Sequence, residues 1–285
     1  MAGTPRAGTL RSQWLGQQLR ELRDSKGVLL KDAAEYLQRD TGTVSRYETG
    51  FYPIRRPDLL ALLDLYGVSD PTLRQKLLNL SKDVWQKGWW DGYAGDVTGS
   101  LIDYVWLESR ACHIRSYASV VVPGLLQTPA YAERAIRLDE PNATPEQVRR
   151  WHELRMTRQQ ILHREDPPKL SVILDESVLR RRIGARDVMK GQLALLTELA
   201  ALPTVEIRVL PLSAGALASV YGSFEIFQMP EPFPEVAYTE TLAGAIYTEA
   251  PDICRFIRAY DGHRAMALEP AESIEVISAI GEDET

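Results

Sequence analysis

Thr41, Gly42, Thr43, Ser45 and Arg46 place short polar side chains and one long cation within six residues. Val44 and Tyr47, at i and i+3 of the same stretch, are suited to anchor it inward if it is helical. Hydroxyls and a guanidinium on the outer face of a short helix suit hydrogen bonding to base edges in the major groove, where arginine pairs bidentately with guanine. Lys31, Arg39, Ser45, Arg55 and Arg56 lie close by in sequence and are candidates for phosphate contacts, which hold register without reading sequence. Thr41, Gly42, Thr43 and Arg46 are the candidate base-reading positions. The chemistry expected is recognition rather than bond making. The same pattern also fits a small helical bundle with no role on DNA.

Other reactive side chains form no comparable set. Asp175 and Glu176 follow an expected strand, and Glu240 ends another. Paired carboxylates at strand ends suit acid-base chemistry or metal binding, whereas an aspartate at a strand-to-helix junction also serves as a helix cap. No nucleophile elbow, H-E-x-x-H or phosphate loop is present, so no catalytic residue, no metal and no cofactor is expected and the chain is read as a non-enzyme. The four histidines lack metal-ligand spacing, and two cysteines are too few for a disulfide framework. Cys112 and Cys254 are expected to be buried small side chains. Trp85, Trp89, Trp90, Tyr93, Tyr104 and Trp106 form an aromatic-rich segment, readable as core and domain packing or as a ligand or partner region. Residues 213–221 are rich in small side chains and read as a surface loop, with a binding lid as the other reading.

The elements that must position the first set follow from periodicity. Helices are expected at 14–26, 30–37 and 41–49, with Asp40 as N-cap and Gly50 as the C-terminal left-handed residue. Further helices are expected at 58–66 and 71–85. The spacing then predicts a helix over 101–117, an extended piece at 120–122, and helices at 130–138 and from Thr144, whose Thr-Pro-Glu-Gln start is a capping box. Strands are expected at 169–174, 204–210, 223–229 and 235–241, with helices at 187–202, 251–268 and 271–280. The fold class is therefore an all-α N-terminal helix-turn-helix bundle followed by a larger C-terminal α+β domain with a small mixed sheet. Expected boundaries are 1–11 for a disordered arm, 12–70 for the DNA-binding domain, 71–88 for a connecting helix and 89–282 for a regulatory domain.

Charge divides along the same line. Residues 1–57 hold ten basic and six acidic side chains, so this head carries +4, and the remainder carries −10 of the total of −6. A basic head on an acidic body fits one DNA-binding end. The 45% hydrophobic and 25% charged fractions are those of a globular chain. No apolar run reaches the roughly 18–20 residues that span a bilayer, and no signal peptide is apparent. A cytoplasmic location and no membrane partner are expected.

Thr43-Val44-Ser45-Arg46-Tyr47-Glu48-Thr49-Gly50 resembles the end of the recognition helix in Xre-type regulators, the phage-repressor-like helix-turn-helix family. Leu30-Lys31-Asp32-Ala33-Ala34-Glu35-Tyr36-Leu37 is similar to that family's second helix, and 56–60 with 66–68 to its following loop and helix. The resemblance implies base reading at Thr41, Gly42 and Arg46 and an ion pair between Arg23 and Glu48. It departs at Leu30, where the family often has a phosphate-binding glutamine, so that contact would move to Lys31, and at Gly42, which has no side chain to read a base. Val122-Pro123-Gly124-Leu125-Leu126-Gln127-Thr128-Pro129-Ala130-Tyr131-Ala132 resembles a signature of bacterial Xre-type regulators described as antitoxin-like. Leu174-Asp175-Glu176, Gly191-Gln192-Leu193, Val209-Leu210-Pro211, Gly222-Ser223-Phe224 and Tyr238-Thr239-Glu240 extend it. This second resemblance implies regulation alongside a small partner protein. The small interface of one head suggests a homodimer on double-stranded DNA. Control by a small molecule in the aromatic region is the other regulatory reading, and an enzyme with an accessory DNA-binding head a third.

Overall fold

The computed structural model describes residues 8–215, 221–231 and 233–283. They form two compact units, residues 8–94 with 98–103, and residues 95–97 with the described residues from 104 onward.

The first unit holds α1 (Leu10–Ser25), α2 (Leu30–Tyr36), α3 (Thr41–Glu48), α4 (Arg56–Leu65), α5 (Pro71–Trp85) and a 3-10 turn at Trp89–Tyr93. Of the arm expected at 1–11, residues 1–7 lie outside the described residues. The rest is already structured, because the Thr9 side chain accepts from Ser12 N and starts α1 at Leu10. Leu15, Leu19, Val44, Leu59, Leu62 and Tyr66 make a closed apolar centre. Two glycines let α1 approach the end of α3. A Cβ at Gly16 would lie 2.4 Å from Tyr47 O, and Gly50 combines φ +70° with backbone contact against Gln13. Ser12 Oγ closes this join by donating to Gly50 O at 2.6 Å.

α5, expected as a connector, packs as a member of this unit. Arg11 is buried and its Nη1 donates to Asp83 O and Gln86 O at the end of α5. Leu77 and Leu80 are buried, and Arg74 Nη2 meets Asp64 Oδ1 at 2.8 Å.

The boundary between the units falls within α6 (Gly99–Arg110). The second unit continues with β1 (His113–Ala118), α7 (Pro129–Asp139), α8 (Pro145–Arg158), β2 (Lys169–Asp175), α9 (Glu176–Arg180), α10 (Arg186–Leu199) and β3 (Val205–Leu210). β4 (Phe224–Gln228), β5 (Val236–Thr241), β6 (Gly244–Thr248), α11 (Ile253–Met266) and α12 (Pro270–Asp283) complete it. The six strands make one mixed sheet in the order β3-β2-β1-β4-β5-β6. β1, β2 and β3 are parallel, while β4, β5 and β6 run antiparallel. Parallel neighbours need crossover connections, here α7–α8 between β1 and β2 and α9–α10 between β2 and β3. α11 covers one face of the sheet, where Tyr117, Ile173, Phe224, Ile226 and Ala237 pack with its Ile253 and Tyr260.

The continuous helix expected over 101–117 is not formed. α6 ends at Arg110, and His113–Ala118 becomes a central strand paired on both sides. Ile114 and Tyr117, three residues apart, lie on opposite faces and are both buried, a demand of the sheet that overrides the helical pattern. The extended piece expected at 120–122 is a bend outside the sheet. β6 and α9 were not anticipated from the pattern. Most of the loop expected at 213–221 lies outside the described residues. Cys112 and Cys254, expected to be buried, are both exposed and free.

Candidate nucleic-acid interface

α3 forms where its own caps place it. Asp40 Oδ1 accepts from Thr43 N at 2.8 Å, and Gly50 terminates the helix in the left-handed region. The turn from α2 bends through Gln38, the one non-glycine residue with positive φ, +56°, among the described residues. Val44 and Glu48 are the buried positions of α3; Thr41 is exposed, and Gly42, Thr43, Ser45 and Arg46 are partly exposed. Tyr47 anchors through its hydroxyl, which donates to Asp58 Oδ2 at 2.9 Å.

Arg46 lies along the outer side of α3 rather than extending freely. Its Nη2 donates to Thr43 Oγ1 at 3.0 Å and stands 3.7 Å from Asp40 Oδ1, and its Cζ lies 5.2 Å from the centre of the Tyr52 ring. Thr43 Oγ1 in turn donates to Asp40 Oδ2 at 2.6 Å. Hydrogen bonds from the Thr43 side chain and backbone hold the Asp40 carboxyl below its ordinary range. Gly42 has a role in this arrangement. A Cβ there would come 2.9 Å from Asp40 Oδ1 and 3.2 Å from Arg46 Nη1, so the missing side chain leaves room for the guanidinium. Tyr52 and Asp40 are the partners of Arg46 that sequence reasoning did not assign. The only sequence signal for Tyr52 was an aromatic pair just after the helix-ending glycine.

Of the backbone-contact candidates, Arg39 and Arg55 stand near Tyr47 of α3. Lys31, Arg39, Arg55 and Arg56 are exposed, and Ser45 is partly so. Arg39 lies 3.6 Å from Asp58, whose largely buried carboxylate also accepts from the Tyr47 hydroxyl. Arg23 Nε and Nη2 donate to the two carboxylate oxygens of Glu48 at 2.7 and 2.9 Å, and Arg23 Nη1 donates to Val28 O. The bond to Glu48 raises the Arg23 pKa against the opposing effect of burial.

The six aromatic residues of the other candidate region divide between the units. In the first, Trp89 makes edge contacts with Trp90 and Tyr93, and Trp85 Nε1 donates to Ile54 O. In the second, Tyr104 packs on Phe227 and Tyr238, and buried Trp106 packs on Phe233.

The 122–132 signature forms a loop, held by polar side chains, that runs into the first turn of α7. Gln127 Nε2 donates to Val122 O and Arg155 Nη1 to Gln127 Oε1. Gln159 bridges Gly124 O and Gln127 O, while Gln192 both donates to Leu126 O and accepts from Thr128 N. Beside it lies a buried charged group. Arg158 pairs bidentately with Glu108 at 2.7 and 2.8 Å and stacks over Tyr104, whose hydroxyl donates to Glu225. Burial pushes the Glu225 carboxyl up to about 7. Asp175 Oδ1 accepts from Ser177 N and caps α9, and Glu176 accepts from Leu212 N and pairs with Arg180. Among the described residues no cluster of three or more His, Cys, Asp or Glu side chains could hold a metal ion, and no helix is long and apolar enough to cross a membrane.

Comparison with known families matches residues 14–77 to a helix-turn-helix domain and residues 101–279 to a Domain of unknown function (DUF5753). No curated protein matches the chain, and no solved structure does. The helix-turn-helix domain, whose third helix is α3, suggests DNA binding. The second match covers more than half of the 285 residues, and the chain therefore belongs to the family of the Domain of unknown function (DUF5753), with a helix-turn-helix domain ahead of it.

Proposed function

We propose that this chain is a sequence-specific transcription regulator of the cytoplasm that reads double-stranded DNA through α3. The observation that carries this reading is the outer face of α3, where Arg46 donates to Thr43 beside exposed Thr41, with Arg39 and Arg55 near Tyr47 and with Lys31 and Arg56 also exposed. Arg46 reads a guanine after leaving Thr43, and the exposed cations hold phosphates. The C-terminal domain pairs two chains, since one head offers too little surface, roughly 600–1,000 Å², for tight specific binding. It also receives a signal from a small partner protein. Its acidic body does not hold DNA but spaces two heads, and a partner shifts DNA affinity by its differential affinity for two spacings. The role is binding rather than catalysis, a reading supported by Asp175 and Glu176 being engaged in capping and pairing.

The test is selection of preferred duplexes from a random pool with the full chain, then titration of the selected and a shuffled duplex at one salt concentration. A preference lost in Arg46→Ala is expected. Equal binding to both duplexes by the wild type would reject sequence-specific reading.

A further inference from the structure

A cavity of about 690 Å³ opens between α11 and the sheet face beyond it in the second unit. α11 covers Phe224, Ile226 and Ala237. Thr239, two residues beyond Ala237 on β5, points to the same face of the sheet. The cavity extends over that position, and its volume falls in the roughly 300–1,000 Å³ range of small-molecule sites.

The walls combine an apolar body with a few polar groups. Phe224, Phe256 and Met266 supply rings and a thioether, and buried His263 stacks on Tyr117 with ring centres 4.0 Å apart. Thr239 Oγ1 is buried without a hydrogen-bond partner and lines the cavity. Arg255 and Arg258 stand at the rim, one turn apart on α11, and no acidic residue is found among the described residues lining it. Arg258 has no ion-pair partner among the described residues, and Arg255 has only Asp252, 4.0 Å away and exposed. The local field therefore favours an anion.

Gly262 gives an independent indication. It sits inside α11, where glycine is among the poorest helix formers. No positive φ requires it, and a Cβ there would meet nothing within 4 Å. Gly262 is exposed where it lines the cavity, so a side chain there would project across the mouth, and the glycine leaves that mouth open at a cost to the helix.

We propose that this cavity is a binding site for a small organic anion, an aromatic or alicyclic body seated against Phe224 and Phe256 with its charged group at Arg255 and Arg258. The site is independent of the DNA-binding reading and separate from the aromatic segment at 85–106.

The experiment titrates the full chain with anilinonaphthalene sulfonate, followed by fluorescence and calorimetry, with uncharged N-phenylnaphthylamine as the comparison. The wild type is expected to bind one sulfonate saturably and the neutral analogue more weakly. Gly262→Leu improves the helix and obstructs the cavity mouth. It is expected to melt no lower than wild type and to lose at least about tenfold in affinity, or about 1.4 kcal/mol. Arg258→Gln should lose roughly twofold to fivefold, the size of an exposed charge contact. Absence of saturable binding, or unchanged affinity in Gly262→Leu, would overturn the site. Equal binding of the neutral analogue with no effect of Arg258→Gln would overturn its preference for anions.

Discussion

Arg23 and Glu48 face each other with both guanidinium-to-carboxylate hydrogen bonds made, at 2.7 and 2.9 Å, and with only 11% and 6% of their side chains exposed. The pair ties α1 to the last turn of α3, so it sets the angle at which the exposed face of α3 is presented. Removing either partner alone leaves a largely buried charge, at a cost of about 3 kcal/mol or more. Replacing both should cost less than the sum of the single changes. A double-mutant cycle by urea unfolding, with Arg23→Met and Glu48→Leu, checks this, and strict additivity would show that the two do not act as a pair.

Arg46 and the cations around it are expected to fail differently. Arg46→Ala should lose about 1–3 kcal/mol of discrimination between a selected and a shuffled duplex. Arg55→Ala and Arg56→Ala should weaken both duplexes alike and reduce the salt slope by about one each. Tyr52→Ala removes the ring that restrains Arg46 and should reduce discrimination by a smaller amount while leaving the salt slope unchanged. Titrations over a salt series separate these outcomes. An Arg46→Ala protein with its preference intact would remove α3 as the reading element.

Gln38 is a stability prediction of a different kind. Its φ of +56° places a residue with a Cβ in the left-handed region, which costs about 1–2 kcal/mol relative to glycine. Its side chain is exposed, so little packing is lost on truncation. Gln38→Gly is therefore expected to raise stability by up to about 1 kcal/mol, the greater freedom of glycine in the unfolded chain offsetting the rest. Thermal and urea unfolding measure it, and a destabilised variant would mean that the Gln38 side chain contributes a contact of its own.

Asp103 makes the first unit sensitive to pH. Its Oδ2 accepts from Leu10 N at 3.0 Å, and burial raises its carboxyl from 3.8 to about 6. A raised carboxylate pKa means that folding favours the protonated form. Stability from this group is then fully present below pH ~4, falls as pH rises towards 6, and stays lower above. Asp103→Asn keeps an acceptor for Leu10 N without the charge. It should flatten that fall and add about 1–3 kcal/mol at pH ~7. Unfolding across pH 4–8 checks it, and an unchanged pH profile would show that another group causes the slope.

The packing of α5 defines the head as a fragment. Truncation at Asp70 removes the carbonyls that Arg11 bonds at Asp83 and Gln86 and the buried Leu77 and Leu80. A fragment ending at Ala94 should melt several degrees above one ending at Asp70. If the C-terminal domain pairs two chains, the longer fragment should still bind a selected duplex more weakly than the full chain and should not respond to any partner of that domain. Equal affinity of fragment and full chain would rule out a contribution from paired heads.

Local signals were enough for the helices of the head and for much of the site. Asp40, Gly50, Pro71 and the Thr144 capping box act within a few residues of themselves, so their effect is written in adjacent sequence. The same holds for the position of Thr41 to Arg46 on α3, and for the apolar spacing that turns Val44 inward. Charge separation between head and body also follows from composition alone. Other features needed the third dimension. His113–Ala118 has a pattern that continues a helix, and only pairing with β2 and β4, which lie 56 and 111 residues further along, makes it a central strand. β6 is short and only partly buried, and it is defined by its register with β5 rather than by an apolar pattern. The restraint of Arg46 by Tyr52 and the room made by Gly42 are matters of side-chain placement. So is the cavity at Gly262, where only the arrangement of α11 on the sheet leaves that position facing open space. Hydrogen bonding within a few residues sets helix ends, whereas strand membership and cavities depend on what distant segments bring to the same place.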